Sequence, residues 1–492
     1  MQVAEAIVLV VYGLCLAFIF CYSMVQLHLT IRYWLRTKRS GKLAAAPLPL
    51  PQRWPKVTVQ LPLYNERYVV ERLITAIAAF DYPPERLQIQ LLDDSTDDTT
   101  AIIREKLKAY PHLNIQHIRR QERTGYKAGA LQHGLAQATG EFICIFDADF
   151  LPSPDFLKRT IPAFTDSRVG VVQTRWEHLN RDYSLLTRLQ AFGLNAHFTV
   201  EQVGRNSGGH FINFNGTAGV WRRACIEDAG GWQADTLTED LDLSYRAQLR
   251  GWRFVYLEEV EAPAELPADM GALKSQQFRW TKGAAETARK HLHRVLQSRL
   301  PFLTKVHAFF HLLNSAIFIC VLLTALLSVP LLYIKHTTPA LSPLYKLGYA
   351  LLLSLAGLVA FYWSAQRAHS TGGWRSNLAF VPEFLLFLSI SMGLSLHNSL
   401  AVLEGYMGRK TPFIRTPKYN ILAARDTWRK HAYRLKSISL VTALEGLLAL
   451  YFLFGIWLAF SWHQYEQLPF HVLLAFGFGA VFIYSLSHSR RG

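Results

Sequence analysis

The chain has 492 residues, of which 50% are hydrophobic and only 18% are charged, and its formal net charge is +16. The excess of Lys and Arg lies beside apolar segments and comes with no nucleic-acid recognition motif, so nucleic acid is excluded as an expected partner. The five cysteines are scattered and form no CxxC pair, so neither a zinc site nor a disulfide framework is indicated.

The chain begins with an apolar stretch and ends with a long apolar region. Residues 1–34 and 301–492 are strongly apolar, whereas residues 35–300 have the composition of a soluble α/β domain. A membrane-spanning helix needs about 20 mostly apolar residues. The candidates are Ala4–Leu27, Val306–Ile334, Leu347–Trp363, Ile438–Phe460 and Phe470–Tyr484. The first is too long for a cleaved signal peptide and is interpreted as a transmembrane anchor, residues 1–34.

The basic loops predict the orientation in the membrane. The segments Arg32–Lys42 and Arg409–Lys436 and the C-terminal arginines are basic, so the positive-inside rule places them in the cytoplasm. Residues 35–300 are then a cytoplasmic domain of an integral, multi-pass protein in a plasma or inner membrane, or in the Golgi of a eukaryote. External loops are expected at Lys335–Tyr345 and Ser461–Pro469.

A further apolar stretch, Leu378–Leu403, differs from the others. It and its C-terminal flank contain Pro382, Glu383 and Glu404. Such residues are costly in hydrocarbon but tolerated at the interface or where a helix bends back. We therefore predict an interfacial helix at 378–408. Five crossings are expected, with six as the alternative, and about four of them lie in residues 301–492.

Within residues 35–300, short apolar runs alternate with helical patterns, which predicts a doubly wound, mostly parallel α/β sheet. Four runs have the character of buried strands: Val57–Leu63, Leu87–Leu92, Leu113–Ile118 and Glu141–Phe146. Ligands bind at the carboxyl ends of such strands. Asp93-Asp94 and Asp147-Ala148-Asp149 each follow a strand directly, so both acidic groups are expected to face one crevice. No GxGxxG follows the first strand and no GxxxxGK[ST] occurs, which argues against a dehydrogenase or a P-loop ATPase.

The acidic groups have a functional and a structural interpretation. The oxygens of Asp147 and Asp149 suit Mg²⁺ or Mn²⁺, which would offset diphosphate charge; alternatively, the triplet is a solvated turn. Asp93-Asp94 suits contact with a base, a ribose or a metal, or else caps the following turn.

Two later motifs carry the same ambiguity. Thr238-Glu239-Asp240 begins a predicted helix, where Asp240 is a general base that takes a proton from an acceptor hydroxyl, or Thr238 simply caps the helix. Gln276, Arg279 and Trp280 share one helical face. In the functional interpretation, Trp280 stacks on a sugar ring and Arg279 pairs with diphosphate. In the structural interpretation, Trp280 is an interfacial anchor.

These motifs, in this order, resemble the inverting, membrane-integrated family 2 glycosyltransferases of the cellulose synthase superfamily. The similarity is closest to the cellulose synthase-like A proteins, which are mannan and glucomannan synthases, and to their bacterial relatives. It covers Pro55 to Lys282 in detail and rests on the stretches Leu92–Asp97, Gly125–Ala130, Phe146–Phe150, Phe214–Arg222, Ala229–Trp232 and Gln276–Trp280.

The resemblance implies a GT-A type nucleotide-sugar fold and a role for each motif. It assigns nucleotide contacts to Tyr64, Glu66, Asp94 and Lys127, and diphosphate–metal contacts to Asp147 and Asp149. Asp240 becomes the base, and Gln276, Arg279 and Trp280 form the acceptor platform. Phe413–Lys418 is similar to the FxVTxK gating loop of cellulose synthases, with Arg415 at the usual Val, so a gating-like loop is expected at 409–420.

The implied function is a processive, inverting β-glycosyltransferase. Such an enzyme polymerises hexose from GDP-mannose or UDP-glucose, with Mg²⁺ or Mn²⁺, into a β-1,4-linked glycan and passes it through the membrane. The alternative is a single-transfer glycolipid synthase resembling ceramide glucosyltransferase, which uses a lipid acceptor. A noncatalytic scaffold or transporter is a third interpretation, and the retained acidic residues argue against it.

Overall fold

The computed structural model describes residues 3–40, 51–338, 350–370, 373–422, 426, 428 and 439–490. A seven-stranded sheet forms the centre of the domain between the apolar regions. Its strands are β1 (Val57–Leu63), β2 (Leu87–Asp93), β3 (Ile115–Arg119), β4 (Phe142–Ile145), β5 (Val169–His178), β6 (Gly219–Arg222) and β7 (Arg253–Ala264).

The strand order across the sheet is β3-β2-β1-β4-β6-β5-β7. β6 runs antiparallel to β4 and β5, whereas every other neighbouring pair is parallel. The predicted α/β class and mostly parallel sheet are therefore confirmed. The four predicted strands correspond to β1–β4. Strands β5, β6 and β7 were not predicted, and the antiparallel direction of β6 depends on its neighbours in the folded sheet and not on its own sequence.

Helices cover both faces of the sheet and continue into the apolar regions. Those of the N-terminal region and the domain are α1 (Val3–Ser40), α2 (Val70–Ala78), α3 (Thr99–Leu107), α4 (Tyr126–Gln137), α5 (Phe156–Thr160), α6 (Leu185–Asn195), α7 (Gln202–Ser207), α8 (Arg223–Asp228) and α9 (Glu239–Leu249). Those that follow are α10 (Met270–Gln297), α11 (Phe302–Leu312), α12 (Ala316–Thr337), α13 (Ala350–His369), α14 (Trp374–Gly393), α15 (Ser395–Met407), α16 (Leu440–Ser461) and α17 (Leu468–Arg490).

Alternation along β4 shows why both faces are buried. Phe142 and Cys144 point into one hydrophobic cluster, and Ile143 and Ile145 into a second on the opposite face. Successive side chains of a strand lie on opposite faces, so helices must cover both.

The sheet also contains a buried polar ladder, although the strands were predicted to be largely apolar. Thr58 on β1 donates to the side chain of Gln88 on β2 at 2.7 Å, and Gln60 donates to Gln90 at 3.0 Å. Pairing across adjacent strands offsets part of the cost of burying these amides, although Gln60 Oε1 and Gln90 Nε2 have no partner among the described residues.

Within the described residues, four helices are long and apolar enough to cross a membrane, and a fifth crossing results if one bent pair counts as a span. The four are Val3–Arg39, Ala316–Thr337, Leu440–Ser461 and Tyr465–Ser489. The expected crossing at Leu347–Trp363 overlaps α13, but residues 347–349 lie outside the described residues, as does most of the expected external loop Lys335–Tyr345.

Two apolar stretches differ in detail from the expected helices. The stretch Val306–Ile334 is divided between α11 and α12, with a turn at Leu313–Ser315. The stretch around 378–408 forms a helix pair bent by 50°. Such a bend is compatible with an interfacial or re-entrant segment, and its placement at the interface stays a prediction. Gly393 at the bend lies against Gly477 of α17, where an added Cβ would meet the Gly477 carbonyl at 2.3 Å.

Candidate active site

A cleft opens beyond the carboxyl ends of β1 and β4, and every predicted site residue lines it. These residues are Tyr64, Glu66, Asp94, Lys127, Asp147, Asp149, Asp240, Gln276, Arg279 and Trp280. They come from strand ends, from three helices and from the loops between them, so the predicted convergence of distant acids is present in the structure.

The two adjacent aspartates after β2 have different environments. Asp93 is buried, where it accepts hydrogen bonds from the Ser95 amide at 2.9 Å and the Thr100 hydroxyl at 2.7 Å. Asp94 lines the cleft, and its two carboxylate oxygens accept hydrogen bonds from Nε and Nη2 of Arg120, the Nε–Oδ1 distance being 3.0 Å. The structural interpretation therefore applies to Asp93, and Asp94 is the one available to a ligand.

An aromatic and guanidinium stack lies on one side of the cleft. The Arg123 guanidinium lies 3.4 Å from the ring centroid of Tyr64 and 5.0 Å from that of Tyr126. Tyr126 in turn stacks on Phe413 at 5.7 Å. Planar groups of this kind bind bases by stacking. Sequence reasoning missed Arg123, because it precedes the Gly125–Ala130 motif and carries no signature of its own.

Lys127 sits in the first turn of α4 and points into the cleft. Its Nζ is 2.6 Å from Asp147 Oδ1 and 3.0 Å from the Gly216 carbonyl oxygen. Burial disfavours the charged ammonium, but the carboxylates of Asp147 and Glu239 outweigh it and raise the pKa of Lys127. Lys127 is therefore a largely buried lysine of the cleft, paired with a carboxylate, and not a surface lysine.

Residues 413–418 cross the cleft and contact three of its sides. Lys418 Nζ is 2.6 Å from Asp149 Oδ2, and Arg415 is 2.7 Å from the Glu66 carboxylate. Arg279 donates to the Thr416 hydroxyl at 2.8 Å. Burial raises the pKa of Glu66 to about 7, although Arg415 and Lys418 oppose the shift.

Asp240 lies in the first turn of α9. The preceding Thr238 makes no side-chain hydrogen bond that caps this helix, so capping does not explain the motif. Burial raises the pKa of Asp240 to about 7; the Glu239 carboxylate adds to the shift and Lys127 opposes it. The carboxylate faces Gly216, where an added Cβ would lie 3.0 Å from Asp240 Oδ2. A carboxylate with a pKa near neutrality is suited to proton abstraction.

The Gln276, Arg279 and Trp280 side chains project from α10 into the same cleft. Trp280 lies 6.5 Å from Trp176 of β5, which also contacts Phe150 at 5.2 Å and Phe198 at 4.8 Å between ring centroids. The cleft therefore has an aromatic wall suited to a sugar ring. Trp176 was missed because nothing around it in the sequence forms a motif.

Asp147 and Asp149 fit a divalent cation by their chemistry. Both offer hard carboxylate oxygens to the cleft, and each is neutralised by a lysine ammonium at 2.6 Å. Among the described residues, the two aspartates belong to no group of three ligand atoms that all lie within 4.8 Å of one another. Mg²⁺ typically needs only one or two protein carboxylates, because water and substrate phosphates complete its shell.

Comparisons with known proteins agree with this geometry. Residues 55–283 match the model of the family described as "Glycosyltransferase like family 2". The chain is 34% identical over 455 residues to Glucomannan 4-beta-mannosyltransferase 9 of Arabidopsis thaliana, a match that covers 87% of this chain and 81% of the relative. It is 41% identical over 295 residues to Glucomannan 4-beta-mannosyltransferase 1 of Oryza sativa subsp. japonica. This match covers 56% of each chain.

A solved structure shares the fold. The mannosyltransferase PcManGT from Pyrobaculum calidifontis, in complex with GDP-Man and Mn²⁺, superposes with a TM-score of 0.51 at 20% identity. The superposition covers 81% of this chain and all of that one. The sheet, the site and this likeness define a GT-A type glycosyltransferase fold.

The chain belongs to glycosyltransferase-like family 2, in the group of the glucomannan 4-beta-mannosyltransferases, the cellulose synthase-like A family. The predicted resemblance is thereby confirmed. With several of these relatives the match spans only about half of their length, as for Glucomannan 4-beta-mannosyltransferase 2 of Arabidopsis thaliana, of which 50% is covered.

Proposed function

We propose that this protein is a processive, inverting β-1,4-mannosyltransferase that extends a polysaccharide from GDP-mannose. The observation that carries the proposal is the convergence of Asp147, Asp149, Asp240, Arg279 and Trp280 in one cleft. The names of the relatives support mannose as the transferred sugar. UDP-glucose is the alternative donor.

The donor would lie between the stacked side chains and the acidic strand ends. Tyr64 and Arg123 present planar faces to the base, and Asp94 presents a carboxylate held by Arg120. Lys127 and Arg279 would offset the charge of the diphosphate. Burial lowers the pKa of Arg279, while four surrounding carboxylates, Asp147 first among them, counteract that shift.

Asp147 and Asp149 would hold Mg²⁺ or Mn²⁺, which acts as a Lewis acid for the departing nucleoside diphosphate. The other chemical roles belong to side chains of the chain itself. Asp240, deprotonated, accepts the proton of the acceptor hydroxyl as that oxygen attacks the anomeric carbon. The bond from the anomeric carbon to the diphosphate breaks in the same displacement, so the configuration inverts and no protein nucleophile is needed.

The acceptor would rest on the α10 platform. Trp280 and Trp176 offer aromatic faces to the terminal sugar, and Gln276 offers an amide to its hydroxyls. The loop 413–418 contacts both the donor side and Arg279, a position suited to closing over bound donor. We further propose that the cleft faces the cytoplasm and that the apolar helices pass the growing glycan across the membrane.

The decisive test uses the purified full-length protein in detergent or nanodiscs with radiolabelled GDP-mannose and Mn²⁺. We expect a ladder of products that a β-1,4-mannanase degrades, with UDP-glucose giving less product. A single labelled glycolipid would replace the processive assignment with the single-transfer alternative. No turnover of any nucleotide sugar by folded, metal-loaded protein would overturn the enzymatic proposal.

A further inference from the structure

Three imidazoles meet outside the cleft, where the first membrane helix contacts the glycosyltransferase domain. His28 lies on α1, His210 follows α7, and His307 lies on α11. One ring nitrogen from each lies within 4.8 Å of one from each of the others. His307 Nε2 and His28 Nδ1 are 2.9 Å apart, and the rings of His210 and His307 stack at 3.9 Å.

Two of these rings leave buried nitrogens without a partner. His210 is 7% exposed and His307 is 1% exposed. Among the described residues, neither His210 Nε2 nor His307 Nδ1 has a hydrogen-bond partner. A buried polar atom that makes no hydrogen bond destabilises the folded state, so two in one cluster require an explanation.

We propose that His28, His210 and His307 form a binding site for one divalent metal ion such as Zn²⁺. Neutral imidazole nitrogens suit zinc, copper, cobalt and nickel, and the set contains no carboxylate that would favour Mg²⁺. Tetrahedral zinc with nitrogens at about 2.0–2.1 Å would separate them by about 3.3 Å. Binding would therefore move the three nitrogens, now within 4.8 Å of one another, to that spacing.

Two guanidiniums near the cluster oppose a bound cation, and one of them is neutralised by a carboxylate. The buried guanidinium of Arg205, which also donates to the His307 carbonyl at 3.4 Å, is neutralised by the Glu201 carboxylate at 2.8 Å. The Arg32 guanidinium points to the Ser207 carbonyl at 2.7 Å. The other nitrogen of His210 lies 3.4 Å from the Thr304 hydroxyl, and a hydrogen bond to the far side of the ring orients a metal-ligating imidazole.

The three ligands would join parts of the chain that are remote in sequence. A metal at this site links α1 to the loop after α7 of the catalytic domain and to α11, which leads into the C-terminal membrane helices. The site is therefore a structural clamp between membrane and domain. Nothing in it depends on the proposed sugar transfer, because its residues do not line the catalytic cleft.

The test is a Co²⁺ titration of the full-length protein in detergent, after removal of any polyhistidine tag and of bound metal with a chelator. Excess Mg²⁺ is present to occupy the carboxylates of the cleft. We expect one equivalent of Co²⁺ to bind with the visible absorption of nitrogen-ligated tetrahedral cobalt, and Zn²⁺ to abolish that absorption. The Asp149→Asn variant should bind Co²⁺ with the same spectrum.

Variants then assign the ligands. His210→Ala and His307→Ala should each weaken Co²⁺ binding at least about 100-fold, beyond the 10–100-fold effect typical of losing a group that only orients a ligand. The control, His112→Ala, alters an exposed histidine outside the cluster and should bind like the wild type.

Two results overturn the site. The first is the absence of a cobalt spectrum from the wild-type protein. This result can be interpreted without any variant. The second is wild-type affinity in His210→Ala or His307→Ala. Gel filtration and circular dichroism check that each variant folds. If His210→Ala or His307→Ala does not fold, His28→Gln, on the partly exposed α1, is used in its place.

Discussion

Lys418 and Asp149 form an ion pair at 2.6 Å although 269 residues separate them in the chain. Both side chains are largely buried, with 15% and 4% of their surfaces exposed. The loop that crosses the cleft thus places its own cation on a carboxylate expected to hold the metal–diphosphate. A divalent cation bound to either oxygen of Asp149 would lie close to the Lys418 ammonium, so we expect the loop and the metal to compete.

Replacing Lys418 by Met should therefore tighten Mn²⁺ binding to the donor-free protein. The gain should be about two- to five-fold, which corresponds to about 0.4–1 kcal/mol and lies within the range measured for ion pairs. Isothermal titration calorimetry with Mn²⁺ measures it.

Lys410→Met is the matched control for this change, because Lys410 is an exposed lysine three residues before the loop 413–418. It should leave Mn²⁺ affinity unchanged. Equal Mn²⁺ affinity in Lys418→Met and the wild type would show that Lys418 does not compete with the metal.

Asp240→Asn should lower kcat by about 10²- to 10⁴-fold, the range typical of a lost general base. The change keeps the shape of the side chain, so GDP-mannose affinity should stay within a few-fold of the wild type. Initial rates and donor titration separate the two effects. Asp235→Asn, five residues earlier and half exposed, is the control and should retain full activity. Substantial turnover by Asp240→Asn would assign the base elsewhere.

The pH dependence of kcat/KM should have an acidic limb with a midpoint near 7. Burial raises the pKa of Asp240 to about 7 in the free protein, and the base works only when deprotonated. Activity should therefore be full above this pH and fall as the pH decreases through it. Because burial also raises the pKa of Glu66 to about 7, the profile of Glu66→Gln decides between the two residues. A limb that persists in this variant belongs to Asp240, and one that disappears belongs to Glu66.

Gly216→Ala should lower the activity of the protein as well as its stability. Gly216 has φ +78°, and an added Cβ would lie 3.0 Å from Asp240 Oδ2 and 3.4 Å from Lys127 Nζ. The left-handed backbone should cost about 1–2 kcal/mol of stability, and displacement of Asp240 should lower kcat at least ten-fold.

Gly251→Ala provides the control for this substitution. Gly251 also has positive φ, +93°, but a Cβ added there would meet nothing within 4 Å. Thermal unfolding should show similar losses for both variants, whereas activity assays should show a loss for Gly216→Ala alone. Equal activity in the two variants would contradict the close approach of Gly216 to the base.

The sequence predicted four of the seven strands and the convergence of the acids because both depend on local patterns. Strand and helix alternate along the chain, and parallel strands end at one edge. Placing Asp94 and Asp147 directly after strands was therefore enough to bring them to the same cleft. It was not enough to distinguish Asp93 from Asp94, since that depends on which side chain meets Thr100 and which meets Arg120.

Other parts of the site could not be read from local patterns. Arg123 and Trp176 lie in no motif, and their roles follow from the rings that happen to face them. The loop 413–418 was predicted, but not its pairing of Lys418 with Asp149 or of Arg415 with Glu66.

The histidine cluster shows the same limit most clearly. The cysteine pattern indicated no zinc site, and His28, His210 and His307 have no metal-binding spacing in the sequence. Sequence patterns alone were enough to establish the class of fold, the apolar helices and the edge of the sheet at which ligands bind, because hydrophobic periodicity acts over a few residues. The pairing of charges and the meeting of the imidazoles depend on the folded chain, because those contacts join side chains from segments that come together only when the helices and strands pack.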